Sequence, residues 1–445
     1  MIFTQFVDDD LGCASYLVGD EKAGTAVVVD PAFEIEQYLA EADHRGVRIV
    51  RVLETHTHAD HVSGHGRLGL EHDVPISIHA AADAEYPHQA LAADDEIEVG
   101  DFVLRCLHTP GHRPEHSCFA VIDRTRADEP WLLLTGDSLF VGDAARPDLA
   151  VDAREGAEEM FHSLRRMLEL SDGVEVYPGH VAGSLCGRAM SSKASTTIGF
   201  ERRFNPMLAT SDLEAFVAES ASVGAPKPPN VPRIVGLNRG PLLGRAPEVG
   251  ELSAPPDGAQ LLDVRPVEAF FSGHRAAAVS VPVAGPTFAT KAGFMLDPER
   301  PVCVLAADPA EAERAVRGLH SVGFFDLPGY VLGGGPDRME TVSVDELEQM
   351  LEAGAAVIDV REMDERDEGY IPGTQNIPYR LVGDLADDMP TDRPVVTVCE
   401  SGARAAVAAS VLAAHGIDAR PVVDGGIGSW LESGRQLTHF RRCGS

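Results

Sequence analysis

The segment VLETHTHADHVSGH carries His56-x-His58-x-Asp60-His61 directly after an apolar run that reads as a strand. This spacing predicts a turning loop in which His56 and His58 point the same way while Asp60 and His61 open the next helix. Neutral imidazoles combined with a carboxylate are the usual ligands of zinc or ferrous iron. Three further candidates occupy similar places: His112 in TPGH after the run 102–107, Asp137 in LLLTGD after 131–135, and His180 in VEVYPGH. Each group falls just past the carboxyl end of a strand, where open α/β sheets place their sites, and unrelated histidines would not share that placement. His65, His72, His79, His88, His162, His274, His320 and His415 lack partners at ligand spacing and read as surface or satisfied core residues. His116 either lines the cavity or is structural, and Asp30, ending VVVD, is placed to orient a ligand from behind.

A second constellation lies near the C-terminus, where the apolar run VVTV ends at Cys399 and a helix starts a few residues later. The loop Cys399-Glu400-Ser401-Gly402-Ala403-Arg404 is expected to aim successive backbone N–H groups at the sulfur, with a helix dipole behind them. Both features favour a thiolate and can cradle a persulfide anion. Gly402 permits the tight turn, Arg404 adds positive charge, and Glu400 works against the thiolate. The arginine falls one residue too early for the C-x5-R loop of cysteine phosphatases. Cys186, six residues past His180, can reach the mouth of the metal cavity on a short loop, a packed free cysteine being the competing reading.

These residues need elements to hold them. Strand-like runs at 13–18, 25–29, 48–54, 102–107, 117–122, 131–135 and 174–177 alternate with helical periodicity near 34–44 and 154–169, the pattern of a layered α/β fold. From about 221 to 260 the chain turns Pro- and Gly-rich and reads as a linker. Beyond it the chain repeats itself. Residues 261–282 match 357–378, with Asp263/Asp359, Arg265/Arg361, Gly273/Gly369 and Pro282/Pro378 in step, and 301–324 match 394–417. Three domains are therefore expected, at 1–235, 236–337 and 338–445. An offset of 96 residues sets Cys303 opposite Cys399, but the local match of Pro301 to Pro394 and Gly323 to Gly416 gives 93 and puts Ala306 there. Cys303 then lies inside a strand, and the loop after Ala306 has no glycine and two acids, Asp308 and Glu311. The middle module is expected to be silent.

The chain of 445 residues is too long for one ordinary core, and its 44% apolar share is that of a globular protein. Seventy acidic against 37 basic residues give a net charge of −33, which disfavours nucleic acid and anionic membrane as partners. The N-terminus has no basic n-region, which favours a cytoplasmic site. Seven cysteines at 13, 106, 118, 186, 303, 399 and 443 form no close pairs and read as free thiols.

HxHxDH followed by TPGH, GD and PGH resembles the metallo-β-lactamase superfamily over residues 1 to about 210. The resemblance implies an αββα sandwich with a first metal position at His56, His58, His112 and Asp137 and a second at Asp60, His61, Asp137 and His180. GDSLFVGDAARPDL is similar to a segment of the persulfide dioxygenases, which use a single ferrous ion held at the positions of His56, His112 and Asp137. Arg146 stands where that family has a substrate-contacting arginine, although Ala145 replaces the preceding glycine. The segment after His180 resembles bacterial fusions of this dioxygenase to rhodanese. IDVRE, YIPGTQNIP, the Cys399 loop and DGGIGSW resemble a rhodanese over about 341–436. The implied fold is an αββα sandwich followed by two rhodanese-like α/β domains. The implied activity is Fe(2+)-dependent oxidation of a small-thiol persulfide, such as glutathione persulfide, by O2 to sulfite, with Cys399 and Arg404 carrying sulfane sulfur toward thiosulfate. The alternatives are a glyoxalase-II-type thioester hydrolase with two Zn(2+), since all seven ligands of a dinuclear site survive, and a sulfur-carrier scaffold. A homo-oligomer is compatible with each.

Overall fold

The structure, a computed structural model, describes residues 1–148, 150–181, 191, 193–221 and 226–439. Cys186 and Cys443 lie outside the described residues, so the expectation for Cys186 does too. The chain divides into two compact units, one of residues 1–246 with 320–323 and one of 247–319 with 324–445.

In the first unit two six-stranded sheets face each other. One runs in chain order through Ile2–Val7, Ala14–Asp20, Thr25–Val29, Arg48–Leu53, Ile76–His79 and Gln89–Leu91. The other orders Thr196–Thr197, Glu175–Pro178, Leu132–Gly136, Ser117–Asp123, Phe102–His108 and Glu96–Val99. The two-residue period of a strand sorts the side chains into layers. Tyr16, Val18, Val27, Val29 and Leu53 meet Leu104, Phe119, Val121, Leu132 and Leu134 between the sheets. Leu17, Val28, Val52 and Ile76 face outward onto Tyr38 and Leu68 of the helices Glu36–Arg45 and His65–His72. Cys118, Leu133 and Val176 take the helix Ala153–Met167 on the opposite outer face, through Met160, Leu164 and Met167. The result is the four-layered αββα order that the motifs imply.

Two local expectations change. The helix after the histidine loop opens at His65 with Gly64 as its N-cap, not at Asp60. Ser63 pairs with Ala32 in an isolated bridge, and the Gly64 N–H donates to the Pro31 carbonyl, so this backbone is committed elsewhere until residue 65. The stretch read as a linker contains the helix Val231–Arg239. Its Asn238 is buried, accepts from the Ser63 N–H and donates to the carbonyls of His58 and His61. A segment chosen by composition as a spacer thus braces the histidine loop.

The second unit contains two parallel four-stranded sheets of one topology. The first orders Ala278–Ser280, Gln260–Asp263, Val302–Ala306 and Gly329–Leu332, and the second Gln375–Asn376, Ala356–Asp359, Val395–Val398 and Ala419–Pro421. The repeated Asp-Val-Arg motif does the same work in both. Arg265 pairs with Asp263 at 2.6 Å and donates to the Gly273 carbonyl at 2.8 Å; Arg361 pairs with Asp359 at 2.8 Å and donates to the Gly369 carbonyl at 2.7 Å. Ala306 ends its strand as Cys399 follows its own, and each carbonyl accepts from a later Gly-rich turn, from Gly333 and Ile427. Among the described residues five cysteines are free thiols, and no helix is long and apolar enough to cross a membrane.

Because Asp359 is fully buried, removing its partner leaves an uncompensated charge. Arg361→Ala is expected to lower the stability of the second unit by about 3–5 kcal/mol. Urea unfolding followed by Trp430 fluorescence in a Trp131→Phe background measures this, and an unchanged midpoint would contradict the role given to the pair.

Candidate metal centre and cysteine loop

Four strand ends bring the ligand candidates together. His56 follows Arg48–Leu53, His112 follows Phe102–His108, Asp137 follows Leu132–Gly136, and His180 follows Glu175–Pro178. Gly136 has φ +47°, and a Cβ there would press within 2.8 Å of Thr55 and His116, so only glycine lets this strand turn Asp137 inward.

His56, His112 and Asp137 offer ligand atoms that all lie within 4.8 Å of one another, and all three residues are buried. Asp137 Oδ2 is 4.0 Å from His56 Nε2 and 3.5 Å from His112 Nε2. Neither His56 Nε2 nor Asp137 Oδ2 has a hydrogen-bond partner among the described residues, an expensive arrangement for buried polar atoms. A cation at this corner would satisfy both. The far side of each imidazole is fixed: His56 Nδ1 meets the Thr55 hydroxyl at 2.9 Å, and His112 Nδ1 meets the Arg146 carbonyl at 3.0 Å. Such outer partners set the tautomer and direct the other nitrogen at a metal.

The remaining candidates engage one another. His180 Nδ1 is 2.6 Å from Asp137 Oδ1 and its Nε2 is 2.7 Å from Asp60 Oδ2, so both ring nitrogens are taken by carboxylates. His61 Nδ1 lies 3.2 Å from Asp60 Oδ1 and 3.4 Å from the Cys13 sulfur. His58 and His56 are adjacent rings, with centroids 4.3 Å apart, but the Nε2 of His58 faces Glu54 at 3.1 Å and Asp30 at 3.3 Å. Its Nδ1 is buried without a hydrogen-bond partner among the described residues.

Protonation follows from these contacts. Burial, with the neighbouring His58 and His112, holds His56 far below the usual imidazole range, and burial lowers His112 as well. Both therefore keep a free lone pair. Burial alone would raise Asp137, but His180 outweighs it and keeps the carboxylate ionised. Burial is likewise overcome at His58, which Asp30 and Glu54 raise, and at Glu54, which His58 and His65 bring down to about 2.

Several of these roles had no motif to announce them. Glu54 stands one residue ahead of the THTH run and is also bonded by Ser63 and His65, at 2.5 and 3.1 Å; its place in ETHTH was the only available signal. His65, assigned to surface or core, belongs to this clamp. Asp30 accepts from the Thr55 N–H and hydroxyl at 2.7 and 2.8 Å, and so orients His56 from behind through Thr55. His116 is buried behind His56, its ring 5.3 Å away. The Arg146 guanidinium pairs twice with Asp148 at 2.6 Å.

At the other candidate site Cys399 is buried, and its sulfur accepts from Gly402 N–H at 3.2 Å and Ala405 N–H at 3.4 Å. The second donor lies one residue beyond the expected loop. Gly402 has φ +96°, a left-handed conformation that a side chain resists. The helix Ala403–Ala414 starts directly after it. Arg404 forms two 2.6 Å bonds to Glu365, and Glu400, half exposed, lies 3.5 Å from Arg361. Ser401 on the loop and Ala403 at the start of the helix are exposed.

Comparison with known proteins agrees with this geometry. Residues 8–180 match the metallo-β-lactamase superfamily and residues 343–433 match the rhodanese-like domain. A solved structure described as a metallo-β-lactamase from Staphylococcus aureus subsp. aureus COL superposes with a TM-score of 0.69 at 29% identity, covering 75% of this chain and 99% of that one. The mitochondrial persulfide dioxygenase of Bos taurus is 29% identical over 226 residues, 50% of this chain and 82% of the relative. A probable polyketide biosynthesis zinc-dependent hydrolase of Bacillus velezensis is 29% identical over 192 residues, 42% of this chain and 80% of the relative. The chain belongs to the metallo-β-lactamase superfamily through its N-terminal unit and carries a rhodanese-like domain near its C-terminus.

Proposed function

We propose that this chain is an iron-dependent persulfide dioxygenase joined to a sulfurtransferase. The observation that carries the reading is the division of labour around Asp137: one oxygen faces His56 and His112, while the other is taken by His180. Two histidines and one carboxylate are the ligand set of non-haem ferrous oxygenases, leaving positions for dioxygen and substrate. His180 and Asp60, which a di-zinc hydrolase would use for its second metal, contact each other at 2.7 Å. Persulfide dioxygenase relatives support the choice of substrate.

When bound, ferrous iron would activate dioxygen and bring it next to the terminal sulfur of a persulfide. Overall, persulfide, dioxygen and one water give thiol, sulfite and two protons. Three residues of the chain set that geometry. Thr55 and the Arg146 carbonyl fix the two imidazoles, and His180 keeps Asp137 ionised. Arg146 is assigned to the substrate side of the centre, where an anionic persulfide would compete with Asp148 for its guanidinium.

At the rhodanese-like domain, the Cys399 thiolate attacks the outer sulfur of a small-thiol persulfide, breaks its S–S bond and releases the small thiolate, and the N–H groups of Gly402 and Ala405 hold the resulting Cys399 persulfide anion. Attack by the sulfite sulfur on the outer sulfur breaks the S–S bond, forms thiosulfate and returns the Cys399 thiolate. The module ending its strand at Ala306 is assigned as a silent copy, a reading supported by its shared strand order and Asp-Arg pair. The expected boundaries at 235/236 and 337/338 go with this assignment, the first moving to 246/247, where the two compact units divide, because the helix Val231–Arg239 spans 235/236.

His112→Ala and Asp137→Ala should abolish both bound iron and O2 uptake with glutathione persulfide, whereas His61→Ala should retain the iron. Metal analysis of anaerobically purified protein decides this, and two zinc ions per chain with thioesterase turnover would establish the hydrolase instead. Asp30→Asn should weaken iron binding about 10–100-fold by freeing Thr55 and His56, as read by competition with a chelator. After incubation with a sulfane-sulfur donor, persulfide mapping should label Cys399. Full sulfurtransferase activity in Cys399→Ser, or strong label on Cys303, would overturn that assignment.

A further inference from the structure

We propose that Arg113 receives the carboxylate of a small-thiol persulfide beside the His56–His112–Asp137 corner, so that the chain selects carboxylate-bearing thiols. The inference takes its substrate from the dioxygenase reading. Arg113 directly follows His112 and is mostly buried, with 13% of its side chain exposed. Its Nε donates to Glu115 Oε1 at 2.7 Å. The same oxygen accepts the Thr57 N–H at 3.1 Å, and Glu115 is itself buried. Arg113 is thereby tied to the backbone between His56 and His58. After burial and the neighbouring imidazoles its charge helps hold His56 low, and after burial it acts in the same direction on His112, so it is felt at the corner.

One edge of this guanidinium remains open. Nη1 and Nη2 have no hydrogen-bond partner among the described residues, and neither is among the buried atoms that go unpartnered, so both reach solvent. A planar carboxylate fits that edge with two parallel N–H···O bonds. Arg146 differs, because its Nε and Nη2 both donate to Asp148 at 2.6 Å, and an anion there must displace a carboxylate already in place. Glu115 balances the Arg113 charge, so Arg113 offers directed donors rather than a general field. That suits a chain of net charge −33, which repels anions at long range and can hold them only at short range. The implied substrate carries its carboxylate several bonds from the sulfur, as glutathione does. The carboxylate docks on Arg113, and the sulfur is left toward His56, His112 and Asp137.

Calorimetry on anaerobically purified full-length protein compares S-methylglutathione, which cannot form a persulfide, with its diethyl ester. The free acid should bind at least about tenfold more tightly than the ester, the scale of hydrogen bonds to charged groups. Arg113→Gln should weaken the acid about 10–100-fold and leave the ester unchanged, whereas a loosened histidine loop would weaken both alike. Arg113→Lys, which keeps the charge but loses the fork, should fall between. In O2 uptake with glutathione persulfide, Arg113→Gln should raise KM with little change in kcat. Equal binding of acid and ester by the parent, a comparison that needs no variant to fold, would overturn the proposal, as would unchanged acid binding in Arg113→Gln. Selective acid binding in a parent that takes up no O2 would instead remove the dioxygenase reading and leave the carboxylate position standing.

Discussion

Asp137 is a buried carboxylate among three imidazoles, and the geometry of the N-terminal unit resolves around how its two oxygens are used. Burying a charge is tolerable only where partners replace water. His180 supplies one such partner and thereby fixes the orientation of the carboxylate. The other oxygen is left toward His56 and His112, which burial keeps neutral and so ready to donate lone pairs. The strand ends, the glycine at 136 and the Thr55 contact are all arranged to make that one corner. The polar seam between the two apolar sheets is held by its own contacts, and the corner of His56, His112 and Asp137 within it is a candidate metal position.

The parts of the centre legible in the sequence are those that backbone topology dictates. Strand ends at 53, 108, 136 and 178 precede His56, His112, Asp137 and His180 because apolar runs must end before a polar side chain can turn into the seam. What the sequence hid is the layer that holds those ligands. Cys13 and Asn238 lie 225 positions apart, 238 minus 13, and reach the histidine loop only through tertiary packing. Composition misled in one place. Pro and Gly between 221 and 260 signal a spacer, yet Pro232 sits in the first turn of a helix, where its missing N–H is harmless, and that helix delivers Asn238.

The repeat in the second unit separates what a fold requires from what a reaction requires. Asp263–Arg265 and Asp359–Arg361 keep nearly the same bonds because each ties a strand end to the following turn, and losing either would strand a buried charge. Ala306 stands at the register position of Cys399, since Asp263 pairs with Leu305 as Asp359 pairs with Val398, and the loop after it lacks the counterpart of Gly402. The sheet order is indifferent to that exchange. Sequence comparison at the Asp-Val-Arg motif alone suggests Cys303 as the counterpart, and only the register of the following strand and helix corrects it, because the intervening loop differs in length by three residues, 96 minus 93.

Charge compensation around Cys399 decides what kind of site it is. Arg404 is matched by Glu365, and Arg361 by Asp359 and Glu400, so the side-chain charges nearest the loop largely cancel. The attraction that remains for a sulfur anion comes from the N–H groups of Gly402 and Ala405 and from the start of the helix behind them. Backbone dipoles are fixed in direction and fall off quickly with distance, so they favour a small anion attached at the cysteine over a diffuse polyanion in solution. In a chain with a net charge of −33 that distinction matters, because the general field repels anions. A sulfur delivered covalently, as a persulfide, needs only the short-range N–H groups once it has arrived. The loop geometry therefore suits a bound sulfane sulfur better than the capture of a free, highly charged sulfur oxyanion.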